Sequence, residues 1–246
     1  MSEYSPDGSV GLVVPPANPT SEPEIRRLLG EGVALHVTRL PVVEGTLDER
    51  LRHYNETLGQ TVGGFGSLPL AVMHYACTGA SYLNRRSEEQ ALRDSLSGTG
   101  ATPVTAADAI VDTLIEMDAH RVAVVSPYPD FLTEAAETYW TAAGLDVVDV
   151  HRLDAPNGIY ALGSADLIAL GRSLVGARPD AVLLSGTGVP TIEACVRLTD
   201  ELGVPVVSSA VCGAWRTAKA LRPVAPPVGQ TMHGLAARLG LLQSTP

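Results

Sequence analysis

Three consecutive residues, Cys77-Thr78-Gly79, combine a thiol, a hydroxyl and a backbone bare of side chain. They follow the apolar run Leu70-Ala71-Val72-Met73 and sit inside Ala76-Cys77-Thr78-Gly79-Ala80-Ser81. A second apolar run, Ala181-Val182-Leu183-Leu184, leads into Ser185-Gly186-Thr187-Gly188-Val189-Pro190. Both are strand-like runs that end in a small loop bearing Thr-Gly, and one loop carries a thiol where the other carries a hydrogen. Two such loops facing each other make a site with its reactive group on one side. A free thiol titrates near ~8.5, and backbone amides or a helix N-terminus lower that value. A Cys-Thr-Gly-Ala-Ser loop leading towards a helix exposes several N–H groups, which stabilise a thiolate and hold a substrate carboxylate. Cys77 is therefore the candidate nucleophile or proton donor. The competing reading is a small, inert residue buried at a strand end. The echo at Gly186 favours chemistry, because small residues in both loops open the backbone to a ligand.

Thr187 and Gly188 offer hydroxyl and amide donors opposite Cys77, or form an ordinary turn. Asn18, after Pro15-Pro16, binds a carboxylate or fixes its loop by Asx bonding. Tyr128, held between Pro127 and Pro129, is a rigid phenol donor or a half-buried aromatic. His74 alternates with apolar neighbours and reads as structural, with tuning of Cys77 as its other role. Cys195 lies on an apolar helical stripe and reads as core, and Cys212 as packing.

The elements that position these residues alternate regularly. Strands are expected over Val10–Val14, Val33–Leu40, Leu70–Tyr75 and Pro103–Val104. Helices are expected over Glu22–Leu29 (capped by Thr20 or Ser21), Leu47–Thr61, Ser87–Leu96 and Thr105–Met117. The pattern then restarts. Strands fall at Arg121–Ser126, Val147–Leu153, Ala181–Ser185 and Val204–Ser208. Helices fall at Phe131–Ala143 (Asp130 as cap), Ala165–Val175, Thr191–Leu202, Ala210–Leu221 and near His233–Leu242. Gly11-Leu12-Val13-Val14-Pro15-Pro16 echoes Val122-Ala123-Val124-Val125-Ser126-Pro127, and Thr102-Pro103-Val104-Thr105 resembles Val204-Pro205-Val206-Val207. Continuous apolar strands between helices indicate parallel sheets covered on both faces. The expectation is an α/β chain of two similar doubly wound parallel-sheet lobes related by a pseudo-twofold axis. The first lobe takes 1–104 and the returning 205–246, and the second takes 105–204. Ligands bind outside the carboxyl ends of such strands, which puts the Cys77 and Gly186 loops on opposite walls of one cleft.

Composition narrows the partners. The chain has 246 residues, 45% of them hydrophobic, which suits a large domain or two lobes. A formal net charge of −10 with no basic run argues against nucleic acid and an anionic membrane surface. The short polar stretch Met1–Ser9 is not a signal peptide, and no apolar run approaches the ~20 residues of a membrane span. Three widely spaced cysteines and six histidines without a ligand pattern argue for a reducing compartment, taken as the cytoplasm, and against a disulfide framework or a metal site.

Taken in order, Val-Pro-Pro-Ala-Asn, Ala-Cys-Thr-Gly-Ala-Ser, Ser-Pro-Tyr and Val-Pro-Val-Val-Ser-Ser…Trp resemble the aspartate/glutamate racemase superfamily. The likeness runs from Val10 to Leu221 and is closest to the maleate cis-trans isomerase and arylmalonate decarboxylase branch. The resemblance implies cofactor-free chemistry beside a substrate carboxylate. The superfamily's racemases use one cysteine per lobe, whereas this chain keeps Cys77 and has Gly186 at the second position. Cys77 matches the position of the isomerase nucleophile, while the decarboxylases carry their cysteine in the other lobe. Asn18 and Tyr128 match carboxylate-binding positions, and Asn157 in Pro156-Asn157-Gly158 is matched to a further one. Thr78, Gly79, Thr187 and Gly188 match the donors around the carboxylate. The resemblance implies an isomerase of a short cis-enedioic acid such as maleate. The alternatives are a malonate-type decarboxylase with Cys77 as proton donor, its apolar pocket drawing on Leu40, Pro41 and Val189, and a non-catalytic carboxylate-binding relative. No cofactor is implied, the partner is a small carboxylate or dicarboxylate, and self-association is expected by analogy.

Overall fold

The computed structural model describes residues 3–84, 86–98 and 100–242. The first half runs β1 (Gly8–Val14), α1 (Ser21–Leu28), β2 (Val33–Arg39), α2 (Leu47–Glu56), α3 (Leu58–Gly63), β3 (Val72–Tyr75), α4 (Thr78–Leu83), α5 (Glu89–Ser97) and β4 (Thr102–Thr105). After α6 (Ala106–Glu116) come β5 (Arg121–Ser126), α7 (Asp130–Ala142), β6 (Asp146–Arg152), α8 (Ser164–Gly171), β7 (Ala181–Leu184), α9 (Ile192–Leu202) and β8 (Val206–Ser208). Two helices, α10 (Ser209–Leu221) and α11 (Gln230–Arg238), follow. All strand pairs are parallel. The sheets run β2-β1-β3-β4 and β6-β5-β7-β8, the same order twice.

Burial explains the order. β3 and β7 are buried at every position, as are Val10–Val14 of β1, so these segments need cover on both faces and take central places. β6, with Asp146, Asp149, His151 and Arg152, is half-buried or exposed along its length and forms an edge, where charges are tolerated. In each sheet the order switches between the first and third strands, so a crevice opens beyond their carboxyl ends. Those ends carry Pro15–Asn18 and Cys77 in one half, and Pro127–Pro129 and Gly186–Gly188 in the other.

Two departures from the expected elements bear on the site. The helix expected over Leu47–Thr61 is two helices broken at Thr57, whose hydroxyl bonds the His53 carbonyl at 2.7 Å, a back-bond that bends helices. The Cys77 loop is shorter than expected, since α4 begins at Thr78 with Cys77 as its N-cap. The lobe boundary at 204/205 also needs correcting. β8 pairs with β7 in the second sheet, so residues 206–208 belong with the second lobe. Helix α10 returns from there to lie on β3, β4 and α6.

One buried carboxylate ties the halves together. Glu24 on α1 accepts the Thr191 and Ile192 N–H groups at 2.6 and 2.9 Å and the Thr191 hydroxyl at 2.9 Å. It thus serves the first turn of α9, whose amides have no intrahelical partner. Burial raises its carboxyl above the ordinary value, against the pull of those donors. Glu24→Ala leaves these donors unanswered, at about 1–3 kcal/mol for each buried one. Chemical denaturation should show that loss, with a smaller one for Glu24→Gln because an amide oxygen can still accept the Thr191 and Ile192 N–H groups.

Candidate active site

A cavity of about 430 Å³ opens at the carboxyl ends of the central strands. Its wall is built from β1's loop (Pro15–Asn18), Cys77 and Gly79 after β3, Pro127–Pro129 after β5, and Thr187 and Gly188 after β7. One face of α2 and the segment following β6 complete it.

Cys77 is 3% exposed and lies on the cavity floor. Burial pushes its thiol up to about 11, against the Ala80 N–H and the Tyr75 hydroxyl, which favour the thiolate. The expectation that amides lower this pKa is therefore overturned, because desolvation of a buried anion outweighs two donors. The resting group is a thiol. Tyr75 donates to Asn55 Oδ1 at 3.1 Å, and Asn55 in turn donates to the Ala80 carbonyl at 2.8 Å, fixing α4 beneath the sulfur. His74 does not tune it. Its Nδ1 pairs with the Thr217 hydroxyl at 2.9 Å, and burial lowers its pKa to about 4.

The other expected residues divide. Asn18, Gly79, Tyr128, Thr187 and Gly188 line the cavity with Cys77. The Asn18 carboxamide accepts the Thr20 and Ser21 N–H groups at 2.8 and 3.0 Å and donates to the Thr187 carbonyl at 3.1 Å. It makes the Asx turn and joins the lobes. The Thr187 hydroxyl donates to the Ala76 carbonyl at 3.0 Å, so its side chain also bridges the two strand ends. Thr78 is fully buried behind the wall, and its hydroxyl pairs with the Tyr128 hydroxyl at 3.0 Å. That phenol, raised well above its usual pKa by burial, stays a proton carrier. Gly186 is also off the wall, with φ +95. A Cβ there would stand 2.9 Å from Pro127 Cγ and 3.3 Å from the Tyr128 hydroxyl. Asn157 is exposed and outside the lining, which takes Ala155 and Gly158 on either side of its turn. Leu40, Pro41 and Val189 are likewise not part of the wall. Its apolar side chains include Leu47, Leu51, Leu153 and Ile159, beside prolines and alanines of the loops. Cys195 and Cys212 are 0% exposed in the core.

Arg50, Tyr54 and Tyr160 also line the cavity, and the sequence reading passed them over. The signal was present. Leu47, Arg50, Leu51 and Tyr54 fall on one face of α2, three and four residues apart, so an arginine stands in the middle of an apolar stripe. Burial raises both phenols, Tyr160 to about 12, and the Arg50 charge opposes the shift at each.

The model for the arylmalonate decarboxylase family matches residues 10–232. The chain belongs to that family. Among characterised relatives, a maleate isomerase of Nocardia farcinica is 31% identical over 235 residues, covering 89% of this chain and 92% of the relative. The crystal structure of the maleate isomerase from Pseudomonas putida S16 superposes with a TM-score of 0.80 at 27% identity, over 93% of this chain and 99% of that one. A cysteine-to-serine mutant of the Nocardia farcinica enzyme, holding a covalently bound succinylcysteine intermediate, superposes with a TM-score of 0.78 at 26% identity, over 92% of this chain and 98% of that one. This family member thus shares the fold of a protein that holds a succinylcysteine, and brings one cysteine to its own cavity. Among the described residues, no helix is long and apolar enough to cross a membrane.

The raised thiol sets its reactivity. Below a pKa of about 11, the thiolate fraction grows about tenfold per pH unit. Iodoacetamide labelling of the native protein, followed by peptide mass spectrometry, should therefore be slow at neutral pH and accelerate at Cys77 by that factor up to the pKa, with Cys195 and Cys212 left unmodified.

Proposed function

We propose that this protein is a cofactor-independent cis–trans isomerase of maleate or a similarly short cis-enedioic acid, with Cys77 as its nucleophile. The observation that carries the reading is a single cysteine on the cavity floor, in a fold where the Nocardia farcinica isomerase carries a succinylcysteine. As the sulfur of Cys77 adds to one alkene carbon, the thiol proton passes to a carboxylate of the substrate. The π pair moves onto the neighbouring carbon and its carboxylate as an enediolate. The former double bond is now single and turns. The pair then returns, the C–S bond breaks, the proton goes back to the sulfur, and the trans acid leaves with the thiol restored. No net oxidation or reduction occurs, which fits a site that needs no cofactor.

The cavity suits those steps. Amides at the start of α4 and in the Thr187–Gly188 turn, with the Tyr128 phenol, surround the place where the enediolate charge develops, and burial strengthens each donor. Asn18 acts by holding the two walls at a fixed spacing. The wall formed by Leu47, Leu51, Leu153 and Ile159 favours a second reading, decarboxylation of a substituted malonate. There an apolar surface destabilises the departing carboxylate and Cys77 protonates the enediolate.

Proton NMR with maleate and no added cofactor tests the reading. Wild type should give fumarate, and Cys77→Ala should give none at equal protein. No conversion by wild type would reject the maleate assignment, and product from a substituted malonate would select the second reading. Tyr128→Phe should lower kcat by about a hundredfold, the usual cost of one oxyanion donor, with a smaller change in KM.

A further inference from the structure

The cavity holds a cation that the fold does not use. Arg50 projects from α2 into the wall. Its Nε is buried and has no hydrogen-bond partner. Among the described residues it forms no ion pair, whereas the other arginine on the wall, Arg152, pairs with Asp130 at 2.8 Å. Arg39, nearby, gives one nitrogen to the Pro15, Pro16 and Asn18 carbonyls and another to Glu22. A half-buried guanidinium with an unanswered donor costs free energy, and in a protein of net charge −10 an acidic neighbour would be easy to supply. None is supplied. The Arg50 charge acts on Tyr54 and Tyr160, and the Cys77 thiolate acts on the same two phenols, so the four groups share one space.

We propose that Arg50 binds the second carboxylate of the substrate and so confines the site to dicarboxylates. The inference rests on the isomerase reading and names what that reading leaves open, the group that recognises the end of the substrate remote from the amide donors. A guanidinium fork matches a carboxylate with two parallel N–H···O bonds. Set on an otherwise apolar helix face, it rewards a second anion and disfavours a neutral group of the same shape, which leaves the cation unpaired. Tyr54 and Tyr160, both protonated, add hydroxyl donors beside it.

The test compares succinate with monomethyl succinate, two unreactive ligands of similar shape that differ by one charge, by calorimetric or NMR titration of wild type, Arg50→Gln and Arg50→Lys. Wild type should bind succinate at least about tenfold more tightly than the monoester. Arg50→Gln should erase that preference by weakening succinate alone, and Arg50→Lys should restore part of it. In turnover, Arg50→Gln should raise KM for maleate more than it lowers kcat. A wild type that does not discriminate between the two ligands, or an Arg50→Gln variant that weakens both equally, overturns the proposal. A wild type that prefers succinate through Arg50 but leaves maleate unconverted keeps the dicarboxylate subsite and rejects the isomerase reading. Circular dichroism and the Arg50→Lys variant separate a binding loss from misfolding.

Discussion

A dense set of buried hydrogen bonds between the start of α1 and the turn after β7 is the constraint on which the rest of the site depends. Asn18 and Ser21 both donate to the Thr187 carbonyl, Thr20 donates to the Gly188 carbonyl at 2.9 Å, and Glu24 receives the first amides of α9. These contacts join residues far apart in sequence and bring the carboxyl ends of two separate sheets together. Without them the Cys77 floor and the Gly188 wall would belong to different surfaces. Because each buried group is answered, the arrangement resists sliding, since a shift of either lobe would orphan several donors at once.

The same enclosure governs the chemistry. Burial keeps Cys77 protonated and every nearby phenol neutral. The charges on the wall are then Arg50, Arg152 and Asp154, and Arg50 differs from Arg152 in having no ion-pair partner among the described residues. Electrostatic effects that water would damp act here at short range and low screening. Catalysis in such a space relies on fixed dipoles set before the substrate arrives.

Much of this was legible in the residues. Uninterrupted apolar runs such as Val10–Val14 and Ala181–Leu184 gave away central parallel strands, and the repeated loops after β3 and β7 located the cleft. What escaped had physical reasons. The break at Thr57 depends on one hydroxyl turning back to a carbonyl, which leaves no periodic trace. The loop of Cys77 looked longer than it is because Thr-Gly-Ala-Ser suits a turn as well as a buried first turn of helix. The thiol's pKa depends on how completely its surroundings exclude water, and spacing does not report that. Asn157 matched a pattern, but it is exposed and off the lining while its neighbours Ala155 and Gly158 are on it. Arg50 was readable as a misfit on an apolar face, yet periodicity is usually scanned for what conforms.

The backbone at Gly186 decides what a second thiol in this site would cost. Its φ of +95 suits a residue without a side chain, and the space a Cβ would fill is held by Pro127 and the Tyr128 hydroxyl. A single codon change to cysteine would meet a strained backbone and two occupied neighbours before it met a substrate. The turn has settled around its bareness. Main-chain shape therefore keeps this turn bare, and placing a second thiol opposite Cys77 would require the loop, the proline and the phenol to change together.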